Sequence, residues 1–138
     1  MPNSSFLVDT SVWIFALRKK FIPSIKERIS QLLKEHILLT NGMIKLEILG
    51  GVKIEEEFRR LKARFDALDE VKIDTSVWEM AYKMAFALRR KGITVPYTDI
   101  LIAACAQKTD SVLVHADAHF DLIADHIDLK VESFVHIV

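Results

Sequence analysis

The stretch Val95-Pro96-Tyr97-Thr98-Asp99-Ile100-Leu101-Ile102-Ala103-Ala104-Cys105-Ala106 places one charge, Asp99, at the head of a run that is apolar at nearly every position. A helix over this run has no polar face, so it must be buried almost all round. Its carboxylate is then costly unless the helix N-terminus or a metal ion pairs with it. Any fold for this chain has to wrap Ile100–Ala106 on several sides and leave Asp99 at an edge.

The rest of the chain can supply that wrapping. With 138 residues, 51% of them hydrophobic, it suits one domain with a sizeable core. Lys plus Arg and Asp plus Glu both number 19, so no overall basic field advertises a polyanionic or membrane partner. The one cysteine, Cys105, falls inside the buried run, where it reads as core and offers neither a disulfide nor a cysteine metal cluster. The sequence shows no membrane-length apolar segment, and Met1-Pro2-Asn3-Ser4-Ser5 lacks the basic region of a leader peptide, so a cytoplasmic protein is expected.

Short apolar runs alternate with helical patterns. Phe6-Leu7-Val8 reads as a buried strand ending at Asp9-Thr10-Ser11, after which Val12–Leu17 starts a helix. Asp9 also suits a helix cap. Ile25, Ile29, Leu32 and Leu33 form one stripe of an amphipathic helix, and Ile37–Thr40 a second strand. Asn41-Gly42 is expected to turn the chain into Met43–Leu49, where Met43, Leu46 and Leu49 would bring Glu47 at or beside the core. A rim position flanked by Lys45 is equally open to it.

Phe58, Leu61, Phe65 and Leu68 give a further amphipathic helix, and Val71-Lys72-Ile73 a strand. Ser76 and Glu79 suggest a capping box for a helix carrying Trp78, Ala81, Ala85 and Leu88, with Gly92 as its stop. Beyond the central run, Ser111–His115 reads as a strand delivering Asp117, Asp121–Ala124 as a short turn, and Leu129–Ser133 as a last strand. This alternation predicts an α/β fold with a parallel sheet covered on both faces.

Ligands of such sheets bind beyond the carboxyl ends of the strands, where Asp9 and Asp117 are expected. Asp99 and Glu47 can reach the same edge from helix starts. Four converging carboxylates repel one another unless a divalent cation supplies the missing charge. Oxygen ligands point to Mg²⁺ or Mn²⁺ rather than Zn²⁺, with Asp9, Asp99 and Asp117 as ligands and Glu47 orienting water or assisting its deprotonation. Such a site activates water against a phosphodiester. Ser11 and Thr98 are candidate hydrogen-bond donors to the carboxylates. His115 and His119 flank Asp117 but lack a third histidine to complete a transition-metal set.

The segments Phe6–Trp13, the Glu47 helix, Tyr97–Ala106 and His115–Phe120 resemble, in order, the four acidic motifs of PIN-domain nucleases, most closely VapC-type toxins. The resemblance implies a three-layer α/β/α fold, metal-dependent RNA cleavage, a VapB-type antitoxin and a homodimer. It also lends weight to Arg18-Lys19-Lys20 and Arg89-Arg90-Lys91 as phosphate contacts, and to Tyr97 or Trp13 as a base-stacking ring, although Trp13 equally suits the core. One departure is His115, which stands two before Asp117 where many relatives carry a hydroxyl side chain. A haloacid-dehalogenase-like phosphatase would need Asp-x-Asp after the first strand, whereas Asp9-Thr10-Ser11 stands here. A PIN-domain nuclease of RNA processing fits the same residues as a toxin does. A non-catalytic RNA- or partner-binding module fits the fold but leaves four retained acids unexplained.

Overall fold

Leu7, Val8, Leu113 and Val114 are buried, and they belong to adjacent central strands of a sheet closed on both faces by helices. In the computed structural model, residues 4–35 and 37–138 are described; Met1, Pro2 and Asn3 of the segment read for a leader lie outside them, as does His36. Strand β1 (Phe6–Val8) leads into α1 (Thr10–Leu17) and α2 (Pro23–Lys34), then β2 (Leu38–Asn41), α3 (Gly42–Leu49) and α4 (Glu55–Asp66). There follow β3 (Asp69–Val71), α5 (Thr75–Arg90), α6 (Tyr97–Lys108), β4 (Val112–His115), α7 (Ala118–Ala124) and β5 (Val131–Ser133). All strand pairs are parallel, in the order β3-β2-β1-β4-β5. The expected α/β architecture with a central parallel sheet is therefore the one observed.

Helix α6 meets the demand that its sequence makes. Every residue from Asp99 to Ala106 is buried, with α5, α3, α7 and β4 packed around it. Cys105 is one of them, and burial pushes its thiol up to about 11, the behaviour of an inert core residue. The residues after α5 turn through Gly92, whose φ of 77° lies in the left-handed region that glycine adopts without strain.

Several local readings shift. Asn41 makes no turn: it ends β2 and caps α3 directly, its Oδ1 accepting from the Ile44 N–H at 2.9 Å. Asp74, not Ser76, caps α5, and the helix buries Val77, Ala81, Met84 and Leu88 while Trp78 stays partly exposed. The segment read as a turn at Asp121–Ala124 belongs to helix α7, anchored by buried Phe120 and Ile123. Leu33 and Phe58 lie off the buried stripes of their helices, and β3 begins at Asp69, before the apolar run that suggested it. No helix among the described residues is long and apolar enough to cross a membrane.

Candidate active site

Strand order decides where a ligand can sit. From β1 the chain proceeds outward to β2, and from β4 outward to β5 on the other side, so the crevice at the ends of β1 and β4 is a topological switch point. Asp9 stands at the end of β1, its N–H donating to the Val114 carbonyl of β4 at 2.9 Å. Asp117 follows β4 by two residues.

Asp9 caps α1 as well as standing at this edge, so its two readings hold together. Its Oδ2 accepts from the Ser11 N–H at 2.9 Å and from Ser11 Oγ at 2.6 Å. The same hydroxyl accepts from the Ala116 N–H at 2.9 Å, tying the end of β1 to the loop after β4. Ser11→Ala removes both contacts and is expected to lower stability by about 1–3 kcal/mol, read as a reduced urea midpoint. An unchanged midpoint would show that the tie contributes nothing to stability.

Asp9 is only 4% exposed. Burial pushes its carboxyl up to about 6, against the opposing Ser11 hydrogen bonds, and the neighbouring Asp99 and Glu47 charges push the same way. Asp99, in the first turn of α6, is also raised, by burial first and then by Asp117 and Glu47, with His119 partly offsetting them.

Of the two positions open to Glu47, the rim is the one observed. Only Ile44 of α3 is buried, Leu46 is exposed, and Glu47 is exposed at the rim. Lys45 is not its neutralising partner, since the ammonium binds Asp66 and Glu70 at 2.6 and 3.0 Å. Thr10 Oγ1 holds Glu47 instead, donating to Oε1 at 2.7 Å. The side chains that hydrogen-bond these acids are Ser11, Thr10 and His119; Thr98 is not among them.

Asp117 caps α7, its Oδ1 accepting from the His119 N–H at 2.9 Å. The hydroxyl expected beside it is replaced by the buried His115, whose Nδ1 accepts from the Asp117 N–H at 3.2 Å. Burial pulls this imidazole below its ordinary range, which favours the neutral ring. Its Nε2 lies 3.1 Å from Asp121 Oδ1, too far off line for a good hydrogen bond, and Asp121 accepts from Ser133 Oγ at 2.9 Å. His115 and Asp121 thus stand behind the site.

His119 is the residue that sequence reasoning weighs and sets aside for want of a third histidine. Its Nδ1 lies 3.1 Å from Asp99 Oδ2 and 3.2 Å from Asp117 Oδ1, and one donor atom from each of the three residues falls within 4.8 Å of the others. The available signal is a histidine two residues past the cap of α7. A divalent cation fits this edge: Asp9 is a nearly buried carboxylate with no cationic side chain paired to it among the described residues, and the neighbouring donors are mainly oxygens. Trp13 is excluded from the site by packing edge-on against Phe65, with ring centroids 4.8 Å apart, whereas Tyr97 is 76% exposed two residues before Asp99.

The PIN domain family model matches residues 6–126, a span that includes every site acid described at this edge. Ribonuclease VapC21 of Mycobacterium tuberculosis is 30% identical, with 88% of each chain covered. Ribonuclease VapC11 of the same species is 32% identical over 93% of this chain and 98% of that one. Among solved structures, the VapBC2 complex of Rickettsia felis bound to a promoter DNA fragment superposes with a TM-score of 0.79 at 18% identity, covering 94% of this chain and 98% of the matched one. A parallel sheet whose switch point gathers acids, and relatives alike over almost the full length, have one common source: this chain belongs to the PIN-domain family, among its VapC-type members.

Proposed function

We propose that the protein is a divalent-metal-dependent endoribonuclease and the toxin of a VapB–VapC-type pair. The observation that carries this reading is the buried, uncompensated Asp9 at a sheet edge shared with Asp99, Asp117 and Glu47. A module that only bound RNA would gain nothing from that electrostatic cost. Ribonuclease is the name carried by the relatives that are 30% and 32% identical.

Asp9, Asp99 and Asp117 would hold the cation, Mg²⁺ or Mn²⁺, with Glu47 beside it. When bound, it supplies charge neutralisation for the phosphodiester and makes water a nucleophile at neutral pH. The protein's own part is to fix the carboxylates. Ser11 and the start of α1 hold Asp9, the buried α6 holds Asp99, and the cap of α7 holds Asp117. Glu47, oriented through Oε1 by Thr10, has its other oxygen to accept a proton from attacking water. The exposed Tyr97 ring stacks on a base at the approach to Asp99. The exposed Arg18-Lys19-Lys20 and Arg89-Arg90-Lys91 clusters hold flanking phosphates, local charge that a chain of zero net charge needs.

Two partners complete the reading. An apolar groove of about 660 Å³ between α1, α2 and α4, lined by Leu17, Ile29, Leu33 and Phe65, is the surface we assign to a VapB-type antitoxin. The exposed Trp78, Tyr82 and Phe86, spaced four apart on α5, are assigned to a homodimer, with twice the chain mass expected in light scattering. Cytoplasmic residence belongs to the same reading.

The deciding experiment incubates the purified protein with a structured RNA and Mg²⁺ or Mn²⁺, with and without EDTA. Cleavage leaving 5′-phosphate and 3′-hydroxyl ends, abolished by EDTA and inhibited by the product of the neighbouring reading frame, is expected. EDTA-resistant cleavage, or no cleavage of any RNA, would overturn the mechanism, and indifference to the neighbouring product would remove the toxin assignment.

A further inference from the structure

We infer that His119 is a nitrogen ligand of the metal site, so that the site favours divalent first-row transition ions over Mg²⁺. The inference rests on the metal-dependent reading and goes beyond an all-oxygen donor set. His119 sits in the first turn of α7, directly after the Asp117 cap, and its backbone N–H donates to Asp117 Oδ1 at 2.9 Å. This bond ties the main chain of His119 to one carboxylate, while its ring reaches the other. Nδ1 lies 3.1 Å from Asp99 Oδ2 and 3.2 Å from Asp117 Oδ1.

Those separations suit neighbouring ligands of one ion. For bonds of about 2.0–2.2 Å, adjacent corners of an octahedron stand about 3 Å apart. Without an ion, an Nδ1–H tautomer donates to the facing carboxylate oxygens. With the proton moved to Nε2, Nδ1 offers a lone pair to the space shared with both carboxylates. The second observation pointing to a cation is Asp9, 4% exposed beside Asp99, with both hydrogen bonds of its carboxylate falling on Oδ2. His115 does not compete for the role, because its Nδ1 is engaged by the Asp117 N–H and its Nε2 lies toward Asp121.

An imidazole changes which ion is preferred. Carboxylate and water suit Mg²⁺, whereas imidazole binds later first-row ions more strongly, and affinity at a mixed nitrogen and oxygen site rises from Mn²⁺ along that series. His119 is therefore a selectivity element. The side chain is 46% exposed, so its replacement leaves the core intact.

The test binds Mn²⁺ to the full chain and measures electron spin-echo envelope modulation, with Mn²⁺ and Mg²⁺ affinities from calorimetry. A ¹⁴N coupling from a directly bound nitrogen is expected, absent in His119→Gln. That variant is expected to weaken Mn²⁺ about tenfold, to change Mg²⁺ less than about twofold, and to keep the wild-type circular dichroism. Bound Mn²⁺ with no ¹⁴N coupling and an unchanged affinity ratio in His119→Gln would overturn this inference and leave the oxygen-ligated site standing. No Mn²⁺ or Mg²⁺ binding by the wild type would overturn the metal-dependent reading and this inference with it.

Discussion

Asp99→Asn is expected to lower RNA cleavage by at least about 100-fold while leaving the protein folded, since even partners behind a metal ligand cost about 10–100-fold when removed. Asp99 is placed by a helix whose next seven residues are all buried, so its carboxylate cannot be replaced by a neighbour swinging in. Asparagine keeps the shape and one acceptor oxygen but removes the charge, which separates loss of metal binding from loss of structure. Packing gives no reason for unfolding: the charged form of Asp99 is already disfavoured by burial and by Asp117. The measurement is single-turnover cleavage at saturating Mg²⁺ or Mn²⁺, alongside a thermal melt. Cleavage at the wild-type rate by a properly folded Asp99→Asn protein would remove Asp99 from the mechanism.

The second large effect is on stability. In EDTA, Asp9→Asn is expected to be more stable than the wild type at pH 7.5 by about 3 kcal/mol, and the difference is expected to close by pH 4. The sign follows from the direction of the shift. Asp9 has its folded carboxyl raised from 3.8 to about 6, so the native state binds the proton more tightly than the unfolded chain. Its contribution is fully present below the unfolded value of 3.8 and lost as pH rises through about 6. Asparagine keeps the cap on α1 and an acceptor for Ser11 without the charge.

His115 titrates with the opposite sign. Its lowered value favours the folded state as pH rises, but it is common to both proteins and cancels in the comparison. Adding a divalent cation at about 1,000 times Kd should reverse the order, because binding then contributes about 4.1 kcal/mol to the wild type and much less to a variant lacking a ligand. Urea unfolding across pH, with EDTA and with Mn²⁺, reads both effects. Equal stability of the two proteins at pH 7.5 in EDTA would mean that the Asp9 charge is already compensated.

These effects depend on features of unequal legibility. The buried strand before Asp9 and the helix behind Asp99 are plain because both are apolar over consecutive positions, a pattern with few ways to be buried. Helix α7 is harder, since Asp117–Phe120 carries turn-forming and capping residues and its two buried anchors, Phe120 and Ile123, are only three apart. The exposure of Glu47 is hidden because α3 is apolar nearly all round, leaving no sequence stripe to mark its core side. His119 is discounted on sequence for want of a third histidine, a rule that treats the ligand set as all nitrogen; Asp99 and Asp117 complete the cluster instead.

By itself the sequence determined the alternation of strands and helices outside α7, the burial of the Asp99 helix and the presence of acids at strand ends, because each depends on residues within a turn or a strand of one another. Only the tertiary structure decided that β1 lies beside β4, so that Ser11 bonds the Ala116 N–H across 105 residues of chain and Asp9 shares an edge with Asp117. Strand pairing joins segments with no local signal of each other. It is selected by burying both sheet faces at once and by the handedness of the crossovers. The same packing turned His119 toward Asp99, twenty residues away in sequence, and so brought a nitrogen atom to the two carboxylates.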